Sequence, residues 1–167
     1  MSLILFSNIL VTAFLVGLIW FVQIVHYPLF KEVGKQNFYE FHLAHTTLTG
    51  KVVILPMLLE LGFSFWLVWE GYEINYALTT NDVSENMVMR MGNFYLFSII
   101  ALLLTISLWI LKAWIFVPLH GKLGDIAKGY NLEIIKKLVF RNWFRTVFWS
   151  LRLVILSYML IQMTSNL

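Results

Sequence analysis

The chain has 167 residues, 60% hydrophobic, 17% aromatic and 13% charged, with a mean hydropathy of +0.79. Soluble domains are about 45–50% apolar and about 25% charged, so a water-soluble globule is excluded. Cysteine is absent, which excludes a disulfide framework, a thiolate-held iron–sulfur cluster and paired-thiol redox chemistry.

Four apolar runs are long enough to cross a hydrocarbon layer of ~30 Å as helices, the form that satisfies backbone amides there. The expected fold is therefore an all-α integral membrane protein, residues 1–167 forming one membrane domain built as a four-transmembrane-helix bundle. Span one runs from Leu3 to Val25, its polar residues being Ser7, Asn8, Thr12 and Gln23. With no basic leader and no small-residue cleavage site, it is expected to remain as an anchor. Gly34 to Phe41 is expected to form a short amphipathic segment lying on the membrane. Span two, Thr46 to Trp69, contains Lys51, Pro56 and Glu60. The acidic stretch from Gly71 to Gly92, with turn-forming Asn81, Asp82 and Ser84, is predicted to be a plain loop. Span three, Asn93 to Leu119, carries Lys112 and closes on Pro118. Asn131 can cap a second amphipathic segment reaching Arg141, with Leu132, Ile134, Ile135, Leu138 and Val139 as its apolar face. Span four, Trp143 to Met163, includes Arg145 and Arg152.

Seven basic residues, Lys31, Lys35, Lys122, Lys128, Lys136, Lys137 and Arg141, follow spans one and three. The positive-inside rule then puts both of those connections in the cytoplasm and both termini outside, as in a polytopic protein of a bacterial inner membrane. The net charge of +3 needs no nucleic acid to explain it, because basic segments can lie against anionic headgroups of the lipid bilayer. Trp20, Tyr27, Trp66, Trp69, Tyr72, Trp109, Trp114, Trp143 and Trp149 fall mostly towards span ends and read as aromatic belts.

The two halves share a pattern. Pro28-Leu29-Phe30-Lys31-Glu32-Val33-Gly34 aligns with Pro118-Leu119-His120-Gly121-Lys122-Leu123-Gly124, and His42-x-x-His45-Thr46 aligns with Asn142-x-x-Arg145-Thr146. This predicts two duplicated helical hairpins related by an axis along the membrane normal.

All four histidines fall at one level. His26 ends span one, His42 and His45 open span two on one helix face, and His120 follows span three. On span four, Asn142, Arg145, Trp149 and Arg152 form one polar stripe that must face inward. The pattern predicts a cavity with His26, His42, His45 and His120 as metal ligands, floored by Gln23, Asn142 and Arg145. Neutral imidazoles on facing helices suit haem iron, copper or non-haem iron, and Arg145 or Lys51 would pair with a haem propionate or another anion. Deeper, Glu60 lies ~21 Å and Arg152 ~14 Å into their spans at 1.5 Å per residue. They are expected to form an intramembrane ion pair, either structural or part of a proton relay.

The segment Gly17-Leu18-Ile19-Trp20-Phe21-Val22-Gln23-Ile24-Val25-His26-Tyr27-Pro28 resembles the opening helix of the copper-resistance D-type proteins and of the membrane-embedded protoporphyrinogen oxidases. That resemblance, over about the first 50 residues, implies copper or haem near helix ends; both families depart from the four spans counted in this chain. The expected function is a metal- or haem-binding membrane protein, a cofactor-dependent oxidoreductase acting on a small hydrophobic substrate. The alternatives are a small carrier or channel, or an accessory subunit of a membrane complex. No Ser-His-Asp grouping, phosphate loop or carboxylate pair points to hydrolysis or ATP use.

Overall fold

A computed structural model of the protein describes residues 3–80, 88, 91–125 and 130–164. The elements are α1 (Leu3–Phe21), α2 (Phe38–Thr80), α3 (Phe94–Leu111), α4 (Val117–Leu123) and α5 (Leu132–Thr164). A π turn, Val22–His26, and a 3₁₀ turn, Pro28–Glu32, extend α1, and a π turn, Lys112–Phe116, joins α3 to α4. Together they make four helical rods long and apolar enough to cross a membrane. Each of α1, α2, α3 and α5 packs against two others in the ring order α1, α2, α3, α5, with α5 closing on α1.

Two of these helices outrun their apolar spans. The 43 residues of α2 reach ~65 Å, about twice a hydrocarbon layer of ~30 Å. The amphipathic segment before span two is accordingly helical from Phe38 and continuous with it, and the segment from Asn131 to Arg141 is the first third of α5 rather than a separate helix. Asn131 does cap it: its side-chain oxygen accepts from the backbone N–H of Glu133 at 2.9 Å and Ile134 at 3.1 Å. The predicted loop from Gly71 also needs correction, since α2 continues through Thr80; residues 81–87, 89 and 90 lie outside the described residues. Gly71 does not break the helix because it is a contact point. A Cβ there would meet Ser98 Oγ at 2.9 Å and Tyr95 Cα at 3.0 Å, so only glycine lets α2 approach α3 this closely.

That contact gives a paired test. Gly71→Ala must push the Tyr95 backbone away and is expected to cost ~1–3 kcal/mol of stability. Gly62→Ala, where the added Cβ meets nothing within 4 Å, is expected to be neutral or stabilising by up to ~1 kcal/mol. Thermal unfolding in detergent separates the two; equal midpoints would show that the helices can part freely at Gly71.

The packing is inverted relative to a soluble protein. Leu10, Phe14, Leu55, Phe65, Trp66, Leu103 and Val154 face outward, while Asn8, Thr12, Gln23, Glu60, Thr105, Asn142 and Arg152 are buried. Along the bundle the interior is layered. One apolar cluster holds Leu5, Leu67, Phe94, Ala101, Leu156 and Met159. A polar layer around Arg152 follows, and then a second apolar cluster with Leu15, Ile19, Val22, Met57, Leu108 and Trp149. The histidines cap the far end.

Both π turns lie just ahead of a proline. Proline has no N–H to return to the carbonyl four residues back, and Tyr27 N–H instead reaches the Val22 carbonyl, five back, at 2.9 Å. The widened turns carry Gln23 and His26 in one rod and Lys112 and Phe116 in the other. The glycines that follow differ: Gly34 has φ +75°, the left-handed conformation that favours glycine, whereas Gly124 has φ −84°.

Candidate functional site

Two groups of polar side chains lie inside the bundle. The deeper one is centred on Arg152, fully buried on α5. Its Nη1 donates to Glu60 Oε1 at 3.0 Å and to the Thr12 hydroxyl, Nη2 donates to Asn8 Oδ1 at 2.8 Å and Ser64 Oγ at 2.7 Å, and Nε donates to Thr105 Oγ1 at 2.7 Å and the Ala101 carbonyl at 3.3 Å. The planar fork thus uses every guanidinium nitrogen. Glu60 also accepts from Thr12 at 3.1 Å and, through its other oxygen, from Trp149 Nε1 at 3.1 Å. The ion pair expected from sequence is present, and its partners come from α1, α2, α3 and α5 together.

The second group is the histidine cluster. Phe38, His42 and His45 repeat at spacings of four and three and are buried on the inner face of α2. The π turn after α1 brings His26 opposite His45, and α4 brings His120 opposite His42. His26 Nε2 lies 2.7 Å from His45 Nδ1, and His42 Nε2 lies 3.0 Å from His120 Nδ1. His120 Nε2 is 3.2 Å from the Tyr27 hydroxyl, and Thr49 Oγ1 is 3.1 Å from His45 Nδ1. The two pairs abut, with the rings of His45 and His120 centred 5.6 Å apart. Phe30, with no exposed surface, closes the cluster beneath: its ring sits 5.0 Å from His45 and 5.4 Å from His26, edge to face.

Beside the imidazoles runs a groove of about 250 Å³ lined by Tyr27, His45, Thr49, Lys112, Phe116, His120 and Arg145, among others. The Arg145 guanidinium lies 4.5 Å from the Phe116 ring centre and 5.1 Å from that of Trp149, faces the Tyr27 hydroxyl, and reaches Asn142 Oδ1 at 3.4 Å. Asn142 in turn donates to Gln23 Oε1 at 2.9 Å, and Gln23 Nε2 donates to the Val139 carbonyl at 3.2 Å. Trp149 therefore joins the two polar groups, its N–H on Glu60 and its ring under Arg145.

Of the residues predicted from sequence, His26, His42, His45 and His120 converge, and Gln23, Asn142 and Arg145 are linked beside them. Lys51 does not join them. It is exposed, because six residues on from His45 is roughly 240° around a helix. Tyr27 and Trp149, assigned to outward aromatic belts, are instead buried, at 4% and 2% exposure. Sequence reasoning also missed Phe30 and Thr49. Thr49 had a signal, lying one helical turn after His45; Phe30 had none beyond its apolar character.

The donor set consists of imidazoles with no carboxylate among them. Among the described residues no group of three or more histidine or acidic side chains is arranged to hold one metal ion; the histidines stand as two pairs. Within each pair, 2.7 and 3.0 Å are hydrogen-bond distances, near the ~2.9–3.3 Å that separate two nitrogens each ~2.0–2.1 Å from one ion. Comparison with protein-family models, curated proteins and solved structures gave no match.

Proposed function

We propose that the chain is a membrane-embedded metal protein in which His26, His42, His45 and His120 hold copper or iron for redox chemistry. The observation that carries the reading is four imidazoles from three rods, touching in two pairs inside a helical bundle. Imidazole suits copper and iron, and with no hard oxygen donors the set is ill suited to magnesium or calcium. Pockets that bury drug-sized ligands span about 300–1,000 Å³, and a groove of about 250 Å³ is too small for a porphyrin. This favours a bare ion over haem. Tyr27, hydrogen-bonded to His120, is placed to hold or release a proton when charge at the site changes.

The orientation expected from Lys31, Lys35, Lys122, Lys136, Lys137 and Arg141 puts this end of the bundle at the cytoplasmic surface. A carrier or channel is the weaker reading, because the apolar cluster with Leu15, Ile19, Met57 and Leu108 separates the histidines from the Arg152 layer.

The test is metal analysis of protein purified at pH 7.5 and reloaded with Cu(II) or Fe(II). Stoichiometric metal is expected, with a visible or paramagnetic signature. Failure to carry or take up either ion would overturn the reading.

A further inference from the structure

Arg145 and Lys112 are two cations beside one groove, and among the described residues neither is paired with a carboxylate. The ion pairs found there are Lys31–Glu32 and Arg152–Glu60. Lys112 instead reaches Met57 Sδ at 3.7 Å and lies 5.2 Å from the Trp109 ring centre. Arg145 is held between two aromatic faces, and its buried Nε–H has no hydrogen-bond partner. An unmet donor on a buried guanidinium costs free energy unless something accepts from it.

The same groove has an apolar wall formed by Val53, Phe116 and Val117. Val117 is 60% exposed, so this wall opens towards the bundle's apolar outer surface.

We infer that the groove binds an amphipathic oxyanion, a carboxylate or phosphate on an apolar body, with its charge on Arg145 and Lys112 and its body along Phe116 and Val117. The planar guanidinium favours oxyanion geometry, and an apolar tail would enter sideways from lipid. This deepens the metal reading by naming the class of molecule brought beside the histidines, yet the anion site needs no metal to form.

The experiment uses the chelator-treated protein in neutral-detergent micelles at pH 8, following tryptophan fluorescence, in which Trp149 beneath Arg145 and Trp109 beside Lys112 are two of seven emitters. Decanoate is expected to bind saturably and at least ~10-fold more tightly than decanol, the advantage of charge-assisted over neutral hydrogen bonding. Arg145→Gln should abolish that preference and Lys112→Met should reduce it. Phosphatidylglycerol added to the micelles separates the two sources of such an anion: competition with decanoate assigns the groove to a lipid phosphate, and undiminished decanoate binding assigns it to a free acid. Equal binding of decanoate and decanol by the unmodified protein would overturn the inference even if Arg145→Gln failed to fold, as would an unchanged preference in a folded Arg145→Gln. Because metal is absent throughout, either result is independent of whether the histidines load copper or iron.

Discussion

Arg152→Met is expected to lower the thermal unfolding midpoint in detergent by about 6–20 °C, which corresponds to ~3–5 kcal/mol lost when one member of a buried ion pair is removed. The loss is large because the acceptors cannot find water. Glu60, Asn8, Thr12, Ser64 and Thr105 all point at the guanidinium from three other helices. Arg152→Lys should recover little, since an ammonium has three donors and cannot reproduce the planar fork. Glu60→Leu alone should also be severe, leaving a buried cation. The double variant Glu60→Leu/Arg152→Met should be milder than the sum of the two, with a coupling of ~1–3 kcal/mol. It should not be neutral, because Trp149 Nε1 loses its acceptor. Strict additivity would mean that the pair does not act as a unit.

The second large effect concerns the histidines. Replacing both His42 and His45 by alanine removes one member of each imidazole pair. Loss of an outer-shell partner alone weakens metal binding ~10–100-fold, so losing two ligands should leave copper or iron below detection after dialysis. The bundle should survive, because no hydrogen bond of the Arg152 layer involves these residues. Full occupancy in the double variant would place the metal elsewhere.

How much of this was legible in the sequence follows from what each signal reports. Hydropathy detects the stretch that must sit in hydrocarbon, so the four rods were visible from Leu3, Thr46, Asn93 and Trp143 onward. It says nothing about where a helix stops once it leaves that layer. Glu70, Glu73 and Ala77 are compatible with helix, and α2 runs on to Thr80. Glu60 and Arg152 were legible because charges inside apolar runs need partners. Their companions Asn8, Thr12, Ser64 and Thr105 were not, since small polar residues are common in such helices and only the ring order of the rods brings them together. The level of the histidines could be counted along the chain. Their pairing could not, because it depends on the π turn that re-aims His26 and on α4, which presents His120. Trp149 is buried although aromatic residues near a span end usually face outward, because it shares the inward stripe of Asn142, Arg145 and Arg152.

Whether imidazoles of this cluster hold a redox metal is read from X-ray absorption at the copper or iron edge on the loaded protein, beside the His42→Ala/His45→Ala variant. A first shell of nitrogen at ~2.0–2.1 Å is expected, with the outer-shell scattering of imidazole rings and no sulfur, and its loss in the variant. A first shell without imidazole scattering, or one unchanged by the double substitution, would rule the imidazoles out as ligands.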